Sequence, residues 1–267
     1  MGKKKYFQDK VILITGASSG IGQSAALTLA KMRAKVVIAS RNCEKLKELE
    51  NQIQAVGYQA LAVRADVSNA EDVNALVDSV IQHWGKIDVL ISNAGEYFRG
   101  SILETANEIF RKSFDVNFFG SLYTIKRVLP LMLDQKSGCI VLMNTLDSKK
   151  GVVGDGPYVS AKAALDGLGD VLRQELSGTG VRVISVYPGR VDTPMIKDIE
   201  VPWITPKISP NTVVKRMIQG IVKSKPIVVV PHVYFSLGAL NNLFPRFMDW
   251  AYRLLRLQGL ERKIRES

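Results

Sequence analysis

Seven short apolar runs alternate with segments of helical periodicity along most of this chain of 267 residues. Runs this continuously apolar are typical of strands buried on both faces, and strand–helix alternation is typical of a parallel sheet with helices on both sides. The sequence therefore predicts one doubly wound α/β domain. The runs are VILIT (11–15), KVVIAS (35–40), ALAVRA (60–65), IDVLIS (87–92), CIVLMN (139–144), VRVISVY (181–187) and IVVV (227–230).

The chain carries no internal repeat or low-complexity linker. We assign residues 1–230 to the α/β domain, including a proline-rich segment at about 194–211 that can cover a substrate. Residues 231–267 form a predicted C-terminal helical extension.

Composition excludes several classes of protein. Two cysteines and two well-separated histidines provide neither a disulfide framework nor zinc-ligand spacing, so we expect no metal. No stretch offers the 18 or more apolar residues of a membrane-spanning helix. The formal net charge is +11, but the basic residues are scattered, which argues against nucleic acid and favours a phosphorylated cofactor or an anionic membrane surface. The start MGKKKYFQDK lacks the features of a signal peptide, so the expected location is the cytoplasm.

A glycine-rich turn joins the first strand to the first helix. In such a turn the backbone can approach a pyrophosphate, which the free N–H groups and dipole of the helix N-terminus attract. Its position in a βαβ unit makes the pattern specific. The predicted phosphate-binding residues are Gly16, Ser18, Ser19, Gly20, Ile21 and Gly22.

The end of the second strand reads Ala39-Ser40-Arg41. A carboxylate at this point would bind a ribose 2′-hydroxyl, whereas an arginine can pair with a 2′-phosphate. Ser40 and Arg41 therefore predict NADP(H) in preference to NAD(H).

The stretch GPYVSAK places Tyr158 and Lys162 four residues apart, on one face of a predicted helix. The spacing alone is common on solvated helices. Together with TGASSGIG (15–22), Ser92-Asn93-Ala94-Gly95, Asn117 and Pro188-Gly189, however, it resembles the short-chain dehydrogenases/reductases over about residues 8 to 195.

This resemblance implies a Rossmann-like fold and a set of residue roles. Tyr158 would be the general acid or base, Lys162 would hold the nicotinamide ribose and lower the pKa of Tyr158, and Asn117 would support a water-mediated proton relay. An ammonium ~4 Å from the phenol supplies about 4 kcal/mol at an effective dielectric constant of ~20, enough to bring its pKa near 7. The remaining cofactor contacts would come from Asp66, Val67, Asn93, Ala94, Gly95, Pro188, Gly189, Val191 and Thr193.

One position departs from the family pattern. The serine usual thirteen residues before the tyrosine is Thr145 here, within MNTLDSKKG. Threonine keeps the hydroxyl and adds a methyl group, so we predict that Thr145 holds the reacting oxygen; Ser148 is the alternative. Asp147 and Lys149-Lys150 also replace small residues.

Two segments point to a lipophilic ketone or alcohol of the steroid, retinoid or long-chain lipid type. One is the covering segment, with Met195, Ile196, Ile199, Val201, Trp203 and Ile204 as an apolar wall. The other is the extension, where Phe247, Trp250, Ala251 and Leu254 share a helical face distinct from that of Arg246, Arg253 and Arg256. Residues 233–257 could contact a membrane, another subunit or their own domain.

The predicted function is therefore an NADP(H)-dependent oxidoreductase that interconverts a carbonyl and an alcohol, as a homodimer or homotetramer. The alternative is a nucleotide-binding regulatory protein of the same fold with little or no catalysis. Such a protein would be expected to lose Tyr158, Lys162 or Asn117, and this chain keeps all three.

Overall fold

The computed structural model describes residues 2–202, 205–255, 257 and 260–261. Seven parallel strands form the main sheet. They match the seven apolar runs, so the predicted α/β class is confirmed. The strands in chain order are β1 (Val11–Thr15), β2 (Lys35–Ser40), β3 (Ala60–Arg64), β4 (Val89–Ser92), β5 (Gly138–Met143), β6 (Val181–Pro188), β7 (Ile199–Glu200), β8 (Ile227–Val230) and β9 (Leu260–Glu261). Strands β7 and β9 form a separate antiparallel pair.

Ten α-helices connect or flank the strands within the described residues. They are α1 (Lys3–Phe7), α2 (Gly20–Lys31), α3 (Cys43–Gln54), α4 (Ala70–Trp84), α5 (Asn107–Phe114), α6 (Gly120–Asp134), α7 (Gly156–Glu175), α8 (Pro210–Val222), α9 (Leu237–Leu243) and α10 (Pro245–Leu254). A π-helical turn, Asp115–Phe119, joins α5 to α6.

The sheet is buried on both faces because each strand sends alternate side chains to opposite sides. Ile12 and Ile14 pack with α2, α3 and α8 on one face, while Val11 and Leu13 pack with α4, α6 and α7 on the other. All five residues of β1 are buried. This two-sided burial is why the runs are continuously apolar rather than alternating.

The strand order of the main sheet is β3-β2-β1-β4-β5-β6-β8. The chain moves outward from β1 through β2 to β3, then crosses back to place β4 on the other side of β1. The reversal opens a crevice at the carboxyl ends of β1 and β4, where doubly wound sheets bind their ligands.

The C-terminal extension packs near the loop that follows β5. Lys150 in that loop pairs with Asp249 of α10, and Asn241 of α9 donates to the carbonyl of Lys149 at 3.3 Å. Trp203, Ile204 and Arg256, which the sequence placed in the apolar wall and on the basic helix face, lie outside the described residues. The division into two domains stays a prediction.

A spanning helix needs about 20 predominantly apolar residues. Within the described part of the chain, no helix combines the length and the apolar character needed to cross a bilayer.

Candidate active site

A cleft of about 360 Å³ lies at the carboxyl ends of the parallel strands. Of the predicted site residues, Gly22 and Asn117 do not line it. The others do: Gly16, Ser18, Ser19, Gly20, Ile21, Ser40, Arg41, Asp66, Val67, Asn93, Ala94, Gly95, Thr145, Tyr158, Lys162, Pro188, Gly189, Val191 and Thr193. The fold therefore brings together residues that are spread over nearly 180 positions of the sequence.

The glycine turn is too crowded for side chains. A Cβ at Gly16, whose φ is +66°, would lie 2.7 Å from the Cα of Ala94, and one at Gly22 would lie 2.3 Å from the carbonyl oxygen of Gly16. Gly22 thus shapes the turn from behind without lining the cleft. The result is a bare backbone surface facing the ligand.

Asn93 braces the same turn from the end of β4. Its side-chain amide donates to the carbonyls of Thr15 and Gly16 at 3.0 and 3.1 Å. The backbone N–H groups of Asn93 and Ala94 each donate to the Thr15 hydroxyl at 3.1 Å. Asn93 and Ala94, which the sequence predicts as cofactor contacts, therefore also hold the glycine turn in shape.

The N-terminus of α2 is open toward the cleft. Ser19 precedes the helix without making a side-chain cap, whereas Asn42 and Asn69 cap α3 and α4 by accepting backbone N–H groups. The first N–H groups of a helix need partners and attract anions. A bare turn followed by an uncapped helix fits the pyrophosphate of a dinucleotide.

Arg41 lines the cleft beside the end of β2, between two carboxylates. Its guanidinium donates to Glu96 at 3.2 Å and lies 4.0 Å from Asp66. Burial alone would raise the pKa of Asp66, but hydrogen bonds from Ser68 and the charge of Arg41 bring that pKa below its usual value. Arg41 is half-exposed, so it remains accessible to an anion on the ligand.

Tyr158 lies at the opposite end, in the first turn of α7. The side chains of Tyr158 and Thr145 both line the cleft. Burial raises the pKa of Tyr158 above the usual 10.0, and the negative charges of Asp147 and Asp155 raise it further, while Thr145 lowers it. The protein's own groups thus keep the phenol protonated at neutral pH.

Lys162 lies beside Tyr158. The Lys162 ammonium is buried, donates to the Met143 carbonyl at 3.0 Å and lies 5.9 Å from the centre of the Tyr158 ring. Burial lowers the pKa of Lys162 to about 8. Its lowering of the pKa of Tyr158 stays a prediction.

Asn117 is held in the π-helical turn and is fully buried. Its side-chain oxygen accepts the N–H of Glu96 at 3.2 Å, and its amide donates to the carbonyls of Glu96 and Ser113 at 2.8 and 3.0 Å. A Cβ on Gly95 would lie 2.8 Å from Asn117 Oδ1 and 3.6 Å from Lys162 Nζ. Asn117 therefore anchors the loop after β4 beside Lys162, and its part in a proton relay stays a prediction.

The two hydroxyl candidates after β5 have different surroundings. Thr145 lines the cleft, whereas the Ser148 hydroxyl donates to the Thr145 carbonyl at 2.8 Å and does not line the cleft. This geometry favours Thr145 as the hydroxyl that faces a substrate.

A polar cluster beside Tyr158 was not predicted as a functional site. Arg99 donates to Asp155 at 2.9 Å, and Tyr97 is hydrogen-bonded to Asp155. The Tyr97 and Tyr158 rings meet edge to face with centroids 5.0 Å apart. Tyr97 follows Asn93-Ala94-Gly95 by two residues, and Asp155 immediately precedes α7. Their closeness to these motifs in the sequence is the signal that could have marked them as site residues.

Three residues of the predicted apolar wall line the cleft: Met195, Ile196 and Ile199. Val201 is half-buried outside it. Arg190, which the sequence analysis did not single out, also lines the cleft and donates to the Thr205 hydroxyl at 2.6 Å. The substrate end thus combines an apolar side with Asp147, Asp155 and Arg190.

Similar proteins share this architecture. A chain described as an uncharacterized oxidoreductase of Staphylococcus saprophyticus is 40% identical over 195 residues, which cover 72% of this chain and 83% of that one. An uncharacterized oxidoreductase of Listeria monocytogenes is 36% identical over 194 residues, covering 72% and 78%.

Two solved structures have closely similar folds. A short-chain dehydrogenase/reductase from Burkholderia phymatum in complex with NAD has a TM-score of 0.84 at 23% identity, covering 93% of this chain and 97% of that one. A variant of the actinorhodin polyketide ketoreductase with NADPH has a TM-score of 0.77 at 29% identity, covering 86% and 97%. The family model described as short chain dehydrogenase matches residues 10–202. The chain belongs to the short-chain dehydrogenase family.

Proposed function

We propose that this protein is an NADP(H)-dependent oxidoreductase that interconverts a lipophilic ketone or aldehyde and the corresponding alcohol. The observation that carries the proposal is that Tyr158, Lys162 and Thr145 line the same cleft as the bare glycine turn at the N-terminus of α2. One end of this cleft is suited to phosphates and the other to proton transfer.

In the proposed reaction, each polar side chain at the Tyr158 end of the cleft has its own role. When bound, the nicotinamide supplies or accepts the hydride. Tyr158, protonated at neutral pH, donates its proton to the carbonyl oxygen during reduction and takes it back during oxidation. Thr145 orients that oxygen through its hydroxyl. Lys162, held by the Met143 carbonyl, keeps further N–H donors for a ribose hydroxyl.

The preference for NADP(H) is supported by Arg41. Its guanidinium lines the cleft at the end of β2, where a 2′-phosphate would be recognised by charge-assisted hydrogen bonds. Glu96 and Asp66 hold the guanidinium near this position. The ketoreductase structure noted above contains NADPH and the Burkholderia structure contains NAD, so the family accommodates both.

A lipophilic substrate is supported by the apolar side of the cleft and by the surface beside it. Among the side chains that the structure describes between residues 233 and 255, nine large hydrophobic ones are exposed. We call this set the C-terminal apolar surface: Val233, Phe235, Leu240, Leu243, Phe244, Phe247, Trp250, Leu254 and Leu255. Patches of this kind mark sites of association.

We propose that the C-terminal apolar surface contacts an anionic membrane. Arg246 and Arg253 are exposed on the same helix, α10, and the whole chain carries a formal net charge of +11. Apolar side chains flanked by arginines suit the boundary between acyl chains and anionic head groups. Burial raises the pKa of Tyr252 on α10 to about 12, and the charge of Asp147 adds to this shift, so α10 lies close to the substrate end.

The deciding experiment is a screen of NADPH consumption over lipophilic ketones and aldehydes, with Tyr158→Phe as the matched inactive variant. Consumption that requires both a carbonyl substrate and Tyr158 supports the proposal. Tight NADPH binding without consumption on any substrate would instead support the regulatory alternative. The homodimer or homotetramer expected from the family resemblance is measured in parallel by light scattering.

A further inference from the structure

Asp147 occupies an unusual place for a carboxylate. It lies in the short 3₁₀ turn Leu146–Ser148 after β5, lines the cleft and accepts a hydrogen bond from the Thr145 hydroxyl at 3.3 Å. Its backbone N–H donates to the same hydroxyl, also at 3.3 Å. The carboxylate is therefore one hydrogen bond away from the group that orients the reacting oxygen.

The cations around Asp147 are engaged elsewhere. The two lysines that follow it in sequence pair with Asp166 and Asp249, and Arg99 contacts Asp155 at 2.9 Å. Arg190 donates to Thr205 and to the carbonyl of Leu257. Within the described part of the chain, no lysine or arginine nitrogen forms an ion pair with Asp147.

The surroundings of Asp147 disfavour its charged form unless a ligand supplies a positive charge. Burial raises the pKa of Asp147 to about 6, the nearby Asp155 adds to that shift, and the charge of Arg190 and the hydrogen bond from Thr145 oppose it. At neutral pH Asp147 is still predominantly ionised. A partly buried carboxylate that has no ion-pair partner among the described residues gains strongly from a ligand cation.

The Thr145 hydroxyl has one hydrogen, and Asp147 competes for it. A hydroxyl donates once and accepts twice. While Thr145 donates to Asp147, the same hydrogen is not available to a substrate oxygen. A positive group on the substrate that takes over the Asp147 carboxylate would release this hydrogen for the reacting oxygen.

We propose that Asp147 binds a protonated amine on the carbon next to the reacting carbon, so that the substrates are lipophilic α-amino ketones and 1,2-amino alcohols. The proposal rests on the oxidoreductase function above. Neighbouring substituents of this kind place the ammonium within hydrogen-bond reach of both the reacting oxygen and a carboxylate that shares a hydroxyl with it. The apolar remainder of the molecule would lie along Met195, Ile196 and Ile199.

The charge of Asp147 also predicts which substrates are excluded. A carboxylate or phosphate beside the reacting carbon would meet Asp147 and Asp155 at close range, and like charges at such distances are strongly disfavoured. A neutral ketone is accepted but leaves Thr145 hydrogen-bonded to Asp147. Substrate specificity then arises both from the attraction of Asp147 for an ammonium group and from its repulsion of a carboxylate or phosphate.

The experiment compares a medium-chain 2-amino alcohol with the same alcohol lacking the amino group. For wild type, Asp147→Asn and Ser148→Ala, kcat/KM is measured with NADP⁺, and binding is measured by calorimetry with the protein saturated in NADP⁺. A charge-assisted hydrogen bond gives the amino alcohol an advantage of about 10- to 100-fold in wild type. Asp147→Asn should reduce this ratio toward one, and Ser148→Ala, whose hydroxyl does not line the cleft, should keep it.

The outcomes separate the two proposals. Equal kcat/KM and equal affinity for both alcohols in wild type would overturn the role of Asp147 and leave the oxidoreductase function standing. Selective binding of the amino alcohol through Asp147 without any turnover would support the amine site and overturn the oxidoreductase function. An advantage that persists in Asp147→Asn overturns the assignment to this residue. If Asp147→Asn lacks a thermal unfolding transition, Asp147→Ser takes its place.

Discussion

The guanidinium of Arg41 lies 3.2 Å from the carboxylate of Glu96, at the end of the cleft beside β2. The two residues stand at the ends of β2 and β4, which are separated by β1 in the sheet. Glu96 also lies 3.8 Å from Lys112. This arrangement holds an arginine at the cleft while leaving it half-exposed, and it leads to the first prediction.

Arg41→Ala should weaken NADPH binding by about 10- to 150-fold and leave NADH binding nearly unchanged. Only NADPH carries the 2′-phosphate, and hydrogen bonds to charged groups are worth about 1.5–3 kcal/mol. Fluorescence titration of both cofactors measures the ratio. Lys112→Ala is the matched control, because it removes a second cation beside Glu96 that does not line the cleft, and it should leave both affinities unchanged. Equal weakening of both cofactors by Arg41→Ala would refute the preference for NADP(H).

Tyr158→Phe should abolish turnover while NADPH affinity stays close to wild type. The substitution removes the transferable proton but keeps the ring that packs against Tyr97. Single-turnover kinetics and cofactor titration together test this expectation. General acid–base catalysis typically accelerates a reaction by about 10²–10⁴-fold. A variant that keeps more than about a tenth of the wild-type activity would therefore refute the assignment of Tyr158.

Thr145→Val should lower kcat by about 10²–10³, since it removes one hydrogen-bond donor from the reacting oxygen while keeping the side-chain shape. Thr145→Ser keeps the hydroxyl and should retain most activity. Ser148→Ala should have little effect, because that hydroxyl donates to the Thr145 carbonyl outside the cleft. The reverse pattern, an inactive Ser148→Ala and an active Thr145→Val, would move the hydroxyl role to Ser148.

Asp147→Asn should stabilise the protein at pH 7–8. The pKa of Asp147 in the folded protein is about 6, above its ordinary value of 3.8. The folded state therefore binds this proton more tightly than the unfolded state, and wild type loses stability as pH rises from about 4 to about 6. The variant should exceed wild type by about 1–3 kcal/mol above pH 6, and the difference should shrink below pH 4.

Urea denaturation of wild type and Asp147→Asn at a series of pH values measures this difference. Ser148→Ala, a neighbour without an ionisable group, is the control and should shift stability by the same amount at every pH. A stability difference for Asp147→Asn that does not change between pH 4 and pH 8 would show that the carboxyl does not titrate in this range.

The double variant Phe247→Ser, Trp250→Ser should reduce binding to anionic vesicles by at least about 100-fold, since each buried aromatic side chain contributes about 1.5–3 kcal/mol. Cofactor binding should be unaffected, because neither residue lines the cleft. Val56→Ser, Leu103→Ser removes two equally exposed apolar side chains elsewhere and should bind vesicles like wild type. A full-length protein that does not sediment with anionic vesicles at low salt contradicts the membrane proposal.

The local sequence was sufficient to predict the strands of the main sheet and the motifs that lie at the ends of strands and helices. The runs at 11–15 and 35–40 coincide with β1 and β2 residue for residue, because burial on both faces demands a continuous apolar run. The glycine turn could also be predicted from the sequence, because only glycine fits there: a Cβ at Gly16 or Gly22 would collide with neighbouring backbone. The four-residue spacing of Tyr158 and Lys162 on one helix face likewise needed only helical geometry.

The side-chain contacts in the cleft could not be predicted from local sequence, because they join residues that are distant in the sequence. The ammonium of Lys162 donates to the carbonyl of Met143, nineteen positions earlier, a contact that the spacing to Tyr158 did not indicate. Arg99 meets Asp155 across 56 residues, and Asn117 serves the loop after β4 through a π-helical turn that no local pattern indicated. Which charges share a desolvated cleft depends on the order in which the strands assemble, and that order is a property of the whole sheet. The pKa values of Tyr158, Lys162 and Asp147 therefore belong to the tertiary structure, since burial and neighbouring charges produce them.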